Sequence, residues 1–137
     1  NADIIIYAPG TPFSSLFPSY MTKNINKVIL NNKNALKFFI TNIGADYETP
    51  DFRASDYIKY TFKYLNKNSH FNYNNFFDYN LVNLSNLEKN HVVIDHANLK
   101  KLNVKTIIEN FEICNKGIHD GSKVINKIIS LYKNKSS

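Results

Sequence analysis

The stretch Ala2-Asp3-Ile4-Ile5-Ile6-Tyr7-Ala8-Pro9-Gly10-Thr11-Pro12-Phe13-Ser14-Ser15 decides how this chain is read. Ile4 to Tyr7 is a short, fully apolar run, as in a parallel strand buried on both faces. It runs straight into a turn of proline, glycine, threonine and two serines. In open α/β sheets, ligands sit outside the carboxyl ends of strands. Glycine there lets the backbone approach a phosphate or sugar closely, and short hydroxyls add donors. Gly10, Thr11, Ser14 and Ser15 are therefore candidate ligand-binding residues. The competing reading is a Pro-Gly corner whose serines bond only their own backbone.

Working outward, strands and helices alternate. Met21 to Leu30 reads as a helix with Met21, Ile25, Val28 and Ile29 on one face. Leu36 to Thr41 is a second strand, followed by a polar loop from Asn42 to Phe52. Asp51 or Ser55 is positioned to cap a helix over Ala54 to Asn66, with Tyr57, Ile58, Thr61 and Leu65 as its buried stripe. Ser69 to Phe77 reads as an irregular connection whose aromatic side chains pack down on the domain. Asn80 to Asn83 is a third strand and Val92 to Asp95 a very short fourth. Leu99 to Leu102 is a single helical turn, and Lys105 to Ile113 holds a fifth strand. Asp120 precedes an amphipathic helix over Ser122 to Lys133, with Val124, Ile125, Ile128, Ile129 and Tyr132 as its stripe. The tail from Asn134 to Ser137 is expected to fray. This order predicts one α/β domain over residues 1–137, a mainly parallel sheet flanked by helices.

Bulk composition narrows the function. At 137 residues, 43% hydrophobic and 20% charged, the chain suits one folded domain with a sizeable core. No apolar run approaches the ~20 residues of a membrane span. A single cysteine, Cys114, fits a reducing, cytoplasmic setting and reads as a small buried residue. The net charge of +6 would suit an anionic partner. The lysines, however, are scattered, and no basic-aromatic signature argues for nucleic acid. Abundant Asn, Lys and Ile point instead to an AT-rich genome. The chain opens on Asn1 and enters a core strand within three residues, which suggests a piece of a longer protein. With its first strand so exposed, the domain is expected to leave one sheet edge or face apolar, and to pack there against a missing half or a second copy.

Further candidates follow the second strand. An asparagine at Asn42 could read a base or sugar edge. A carboxylate at Glu48, next to Thr49, could bind ribose hydroxyls or a metal-bound water. Turn and cap chemistry explains the same three residues equally well. His119 and Asp120 resemble an acid–base pair, but Asp120 reads better as the cap of the last helix and His119 as a surface residue. His70, His91 and His96 show no zinc-ligand spacing.

The order of these motifs resembles the 2-phospho-L-lactate transferase family, which also contains the bacterial gluconeogenesis-factor proteins. The resemblance rests on Ala2-Asp3 with Ile4 to Ile6, then Pro9-Gly10, Ser14-Ser15 and Pro18. It continues through Asn42, Glu48-Thr49, Asp56, the strand ends Asn83 and Asp95, and His119-Asp120. Ala8, Thr11, Tyr57 and Ile118 depart from the bacterial pattern, and the Asn42-to-Glu48 loop is one residue shorter. The resemblance implies the carboxyl-terminal half of a Rossmann-like domain. It also implies a nucleotide or nucleotide-sugar ligand, held by Gly10, Thr11, Ser14, Ser15, Asn42, Glu48 and Thr49. A Gly-rich loop and Mg²⁺-binding carboxylates would belong to the other half, leaving no metal ligand here and little activity to these residues alone. Two function classes are implied. One is a transferase moving a phospho-organic group from a nucleotide-activated donor to an acceptor hydroxyl. The other is a non-catalytic regulator of central carbon or cell-wall metabolism that binds the same ligand.

Overall fold

The computed structural model describes residues 2–67, 70–85, 90–114 and 116–135. Ser69, where the aromatic connection begins, and Ser136-Ser137 of the expected tail lie outside these. Four strands form one sheet: β1 (Ile4–Tyr7), β2 (Leu36–Ile40), β3 (Tyr79–Asn83) and β4 (Lys105–Glu109). They lie in the order β1-β2-β3-β4, and every pairing is parallel. The register sets Ile4 beside Leu36, Phe39 beside Asn80 and Leu81 beside Ile107. The expected α/β class and parallel sheet are found.

Stepwise strand order with right-handed crossovers puts every connection on one face. That face carries α1 (Phe17–Tyr20), α2 (Ile25–Asn31), α3 (Ala54–Leu65), α4 (Tyr73–Phe76) and α5 (His96–Lys101). Its core joins Tyr7, Phe39 and Val82 of the sheet to Ile29, Ile58, Phe76 and Leu99 of the helices. The opposite face carries α6 (Gly121–Lys135), whose Val124 and Ile128 pack on Leu36, Phe38, Ile40 and Leu81. The period-2 alternation of apolar side chains divides each strand between these two cores.

Several expectations are corrected. The run Val92 to Asp95, expected as the fourth strand, does not join the sheet. Val92 N–H donates to the Ile43 carbonyl and Ala54 N–H to the Val93 carbonyl, so the run braces loops beyond the strand ends. The helix expected over Met21 to Leu30 is broken by Asn24, which sits at φ 67, in the left-handed region. The connection before β3 is not wholly irregular: Asn72 and Asn75 cap the turn of α4, and Phe76 and Phe77 are buried as expected. The single turn at Leu99 extends back to His96, β4 stops at Glu109, and α6 runs on through Asn134 and Lys135. Neither Asp51 nor Ser55 caps α3; Asp95 accepts the Ser55 N–H from 40 residues away.

The β1 side of the sheet is open. Within its stripe only Ile29 is buried, whereas Met21 is 55% and Val28 63% exposed. Ile6 is also exposed, and so are Ile125 and Ile129 of the α6 stripe. A trough of about 950 Å³ runs along β1, lined by Ile5, Ile6, Tyr7, Tyr20, Ile25 and Val28 among others. The expectation of an apolar edge is met, and an edge of this kind invites pairing with another strand. The open edge is expected to pack against a missing half or, where that half is absent, against a second copy. These residues alone should then self-associate as their concentration rises in sedimentation velocity. The double variant Ile6→Lys/Val28→Lys should stay monomeric, with a folding stability changed by less than about 0.5 kcal/mol. A wild-type chain that stays monomeric at every concentration would contradict this. No helix among the described residues is long and apolar enough to cross a membrane.

Candidate functional site

The turn after β1 and the loop after β2 lie side by side at the carboxyl ends of their strands. Two reciprocal bonds join them. The Gly10 N–H donates to Asn42 Oδ1 at 3.1 Å, and Asn42 Nδ2 donates to the Gly10 carbonyl at 3.0 Å. The Asn42 side chain thus pairs with the Gly10 backbone as a neighbouring strand would, three residues beyond the last β1-β2 pair of Tyr7 and Phe39. A Cβ on Gly10 would lie 3.3 Å from Leu16 Cδ2, a tight contact that a small shift of the leucine side chain would have to relieve.

Glu48 makes the second tie. One carboxylate oxygen accepts the Phe13 N–H at 2.7 Å and the Ser14 N–H at 3.1 Å. These donors open the short helical turn Pro12–Leu16. Burial works to raise the Glu48 pKa, but the bonds from Ser14 and Phe13 outweigh it and hold the carboxyl below its ordinary value. A carboxylate of the protein thus occupies the donors that an incoming phosphate would use. Thr49 is buried, and its hydroxyl meets the Tyr57 hydroxyl at 3.3 Å.

Between the loops lies an open cleft of about 460 Å³, walled by Pro9 to Thr11, Asn42 to Asp46, and Gly117 to His119. The sequence-predicted set therefore divides. Gly10, Thr11 and Asn42 line the cleft. Glu48 braces its rim, Ser14 and Ser15 lie exposed on the turn, and Thr49 sits in the core.

The third wall is the part that sequence reading misses. His119 is not a surface residue. It is half-buried, and its Nε2 lies 3.1 Å from the Thr41 carbonyl at the end of β2. Behind it, buried Glu112 accepts the Gly117 N–H and lies 3.2 Å from His91 Nε2. Asn83 Nδ2 reaches the same carboxylate at 3.4 Å, and Asn83 Oδ1 accepts the Phe111 N–H at 2.7 Å. Strand-end Asn83, a histidine and a glutamate therefore hold the 112–119 loop against the sheet. Asp120 caps α6 as expected, accepting the Ser122 and Lys123 N–H groups. Cys114 is exposed rather than buried, on this loop at φ 46. Among the described residues no three His, Cys, Asp or Glu side chains converge as a metal site requires.

Burial pulls the His119 pKa below its ordinary 6.5, against the Thr41 bond and the Glu112 charge, which push it up. The unfolded chain then binds more protons below pH 6.5, so His119's stabilising contribution is full above that value and is lost as the pH falls toward the folded pKa. Thermal melts between pH 7.5 and 5.5 should show the wild type losing more stability than His119→Gln. Equal losses would place the histidine in solvent.

The comparisons with known proteins agree with this fold. The family model described as 2-phospho-L-lactate transferase CofD matches residues 1–112. The gluconeogenesis factor of Listeria innocua is 26% identical over all of this chain and 44% of its own length. That of Listeria monocytogenes is 25% identical over the same shares. The crystal structure of a UPF0052 family member from Bacillus halodurans superposes with a TM-score of 0.77 at 26% identity, covering 93% of this chain and 43% of that one. The chain thus spans less than half the length of these relatives. With its parallel sheet, its Pro-Gly turn and a match to most of its length, this chain belongs to the CofD family.

Proposed function

We propose that this chain supplies one side of a binding site for a nucleotide-activated ligand, a nucleoside diphosphate carrying a sugar or a phospho-organic group. The observation that carries the reading is the reciprocal Gly10–Asn42 pair. It fixes a glycine turn beside the cleft, at the strand ends where α/β proteins bind ligands. Gly10 and Thr11 would meet the phosphates, and the Asn42-to-Asp46 backbone would meet sugar or base edges. In the transferase reading, the phospho-organic group passes to an acceptor hydroxyl. Catalysis then consists of positioning and neutralising charge, with Mg²⁺ held outside this chain's own residues. The regulator reading keeps the ligand and drops the turnover. It is favoured by the name gluconeogenesis factor on the listerial relatives. A reducing, cytoplasmic setting suits both.

Calorimetry with a nucleoside diphosphate and a nucleotide-sugar tests the site, using the longest polypeptide that carries these residues. Gly10→Val should abolish binding, because its side chain fills the space of a phosphate and crowds Leu16. Thr11→Ala should weaken binding by about 1 kcal/mol, the loss of one hydroxyl at the cleft wall. Unchanged affinity in both variants would make the turn purely structural. Turnover of the donor would select the transferase, and tight binding without turnover the regulator.

A further inference from the structure

The third wall of the cleft ends on a histidine whose two ring nitrogens have different surroundings. His119 Nε2 lies 3.1 Å from the Thr41 carbonyl. A carbonyl can only accept, so this nitrogen carries the proton. The other nitrogen, Nδ1, makes no bond among the described residues and is open to solvent. Burial holds the imidazole below its ordinary pKa, so at neutral pH and above Nδ1 presents a bare lone pair. The backbone at the end of β2 thus fixes the tautomer, and with it the chemistry that the ring offers.

The neighbouring side chain has the same character. Asp46 also lines the cleft; its Oδ1 accepts the Glu48 N–H at 2.9 Å, and its other oxygen makes no bond among the described residues. No lysine or arginine among the described residues lines this cleft. Its far side therefore accepts hydrogen bonds and offers no cation, which suits a neutral hydroxyl and not a phosphate. We infer that His119 is a specificity residue: its Nδ1 accepts a hydrogen bond from a sugar hydroxyl of the ligand, and the Thr41 carbonyl positions the ring to do so. The inference rests on the cleft being the ligand site proposed above. It assigns the sugar end of the ligand to the wall of Gly117 to His119 and leaves the phosphates to Gly10 and Thr11. A site built to bond a hydroxyl discriminates against an analogue that lacks it.

Calorimetry on the longest polypeptide that carries these residues uses UDP-glucose, its dideoxyribose form and UDP, and the matching guanosine series built on GDP-mannose. His119→Phe keeps a flat ring and removes both nitrogens. It should weaken binding of the parent nucleotide-sugar by roughly three- to tenfold, the worth of one hydrogen bond. The penalty should vanish for the analogue that lacks the hydroxyl being read. A penalty lost with the dideoxyribose form identifies the ribose diol, and one lost only with UDP or GDP identifies the hexose. A penalty equal across all three ligands of a series means a purely structural role, and no penalty for any means no contact; either result overturns the inference. Nitrogen-resolved NMR of the wild-type imidazole keeps the test decisive if His119→Phe misfolds. The free chain should show the Nε2–H tautomer, and saturating nucleotide-sugar should move the Nδ1 signal while Nε2 keeps its proton. An unmoved Nδ1 signal in a chain that binds the probe overturns the inference and leaves the cleft as the ligand site. If no probe of either series binds the wild type, the reading of the cleft fails, and the inference with it.

Discussion

Glu112→Ala is expected to cost about 3–5 kcal/mol of folding stability, as removing one partner of a buried polar pair does. The loss leaves the Gly117 N–H, His91 Nε2 and Asn83 Nδ2 without the carboxylate they share. Because this carboxylate anchors the 112–119 loop, the cleft should lose its third wall in the same step. Glu112→Gln keeps the shape and part of the hydrogen bonding, so it should fall between wild type and alanine. Urea unfolding measures the cost. A change below about 1 kcal/mol for alanine would mean that the cluster is not what holds the loop.

The second large effect lies beneath the first wall. Phe77 is fully buried, and its ring stands 4.9 Å from Tyr7, centroid to centroid, and 5.6 Å from Phe39. Phe77→Ala should cost about 3–5 kcal/mol, the lost transfer energy plus the cavity left behind. Tyr7 ends β1 just before the Pro9-Gly10 turn, so slack around its ring should also loosen the turn. Tyr47, which is 82% exposed, provides the control: Tyr47→Ala should stay within about 0.5 kcal/mol of wild type. Equal costs at the two positions would contradict the core described for the helix-rich face.

Local pattern carried much of the fold. Leu36 to Ile40 announces itself as a strand because both faces of the sheet are covered there, making its residues almost continuously apolar. Ile4 to Tyr7 carries the same signal although Ile6 is left exposed at the open edge. The same signal misleads at Val92 to Asp95, where an equally apolar run packs on loops instead of pairing in the sheet. Periodicity sees apolarity and not the neighbour that satisfies the backbone. The break at Asn24 was hidden because asparagine tolerates both helix and the left-handed region. In the site, the Pro-Gly turn was legible because its chemistry is local. The roles of Asn42 and Glu48 were not, because their bonding partners lie 32 and 35 residues away. The joining of His91, Glu112 and His119 was likewise invisible, since each is a lone polar residue in sequence. The signal available was Phe111 between Asn110 and Glu112 after β4, an aromatic residue that packs into the core and draws Glu112 in with it.

The most direct measurement is an amide chemical-shift titration with a nucleotide-sugar. The account predicts saturable shifts concentrated at Gly10, Thr11, Asn42 to Asp46 and Gly117 to His119, absent in Gly10→Val. Shifts confined to other surfaces, or unchanged shifts in Gly10→Val, would contradict the assignment of the cleft as the ligand site.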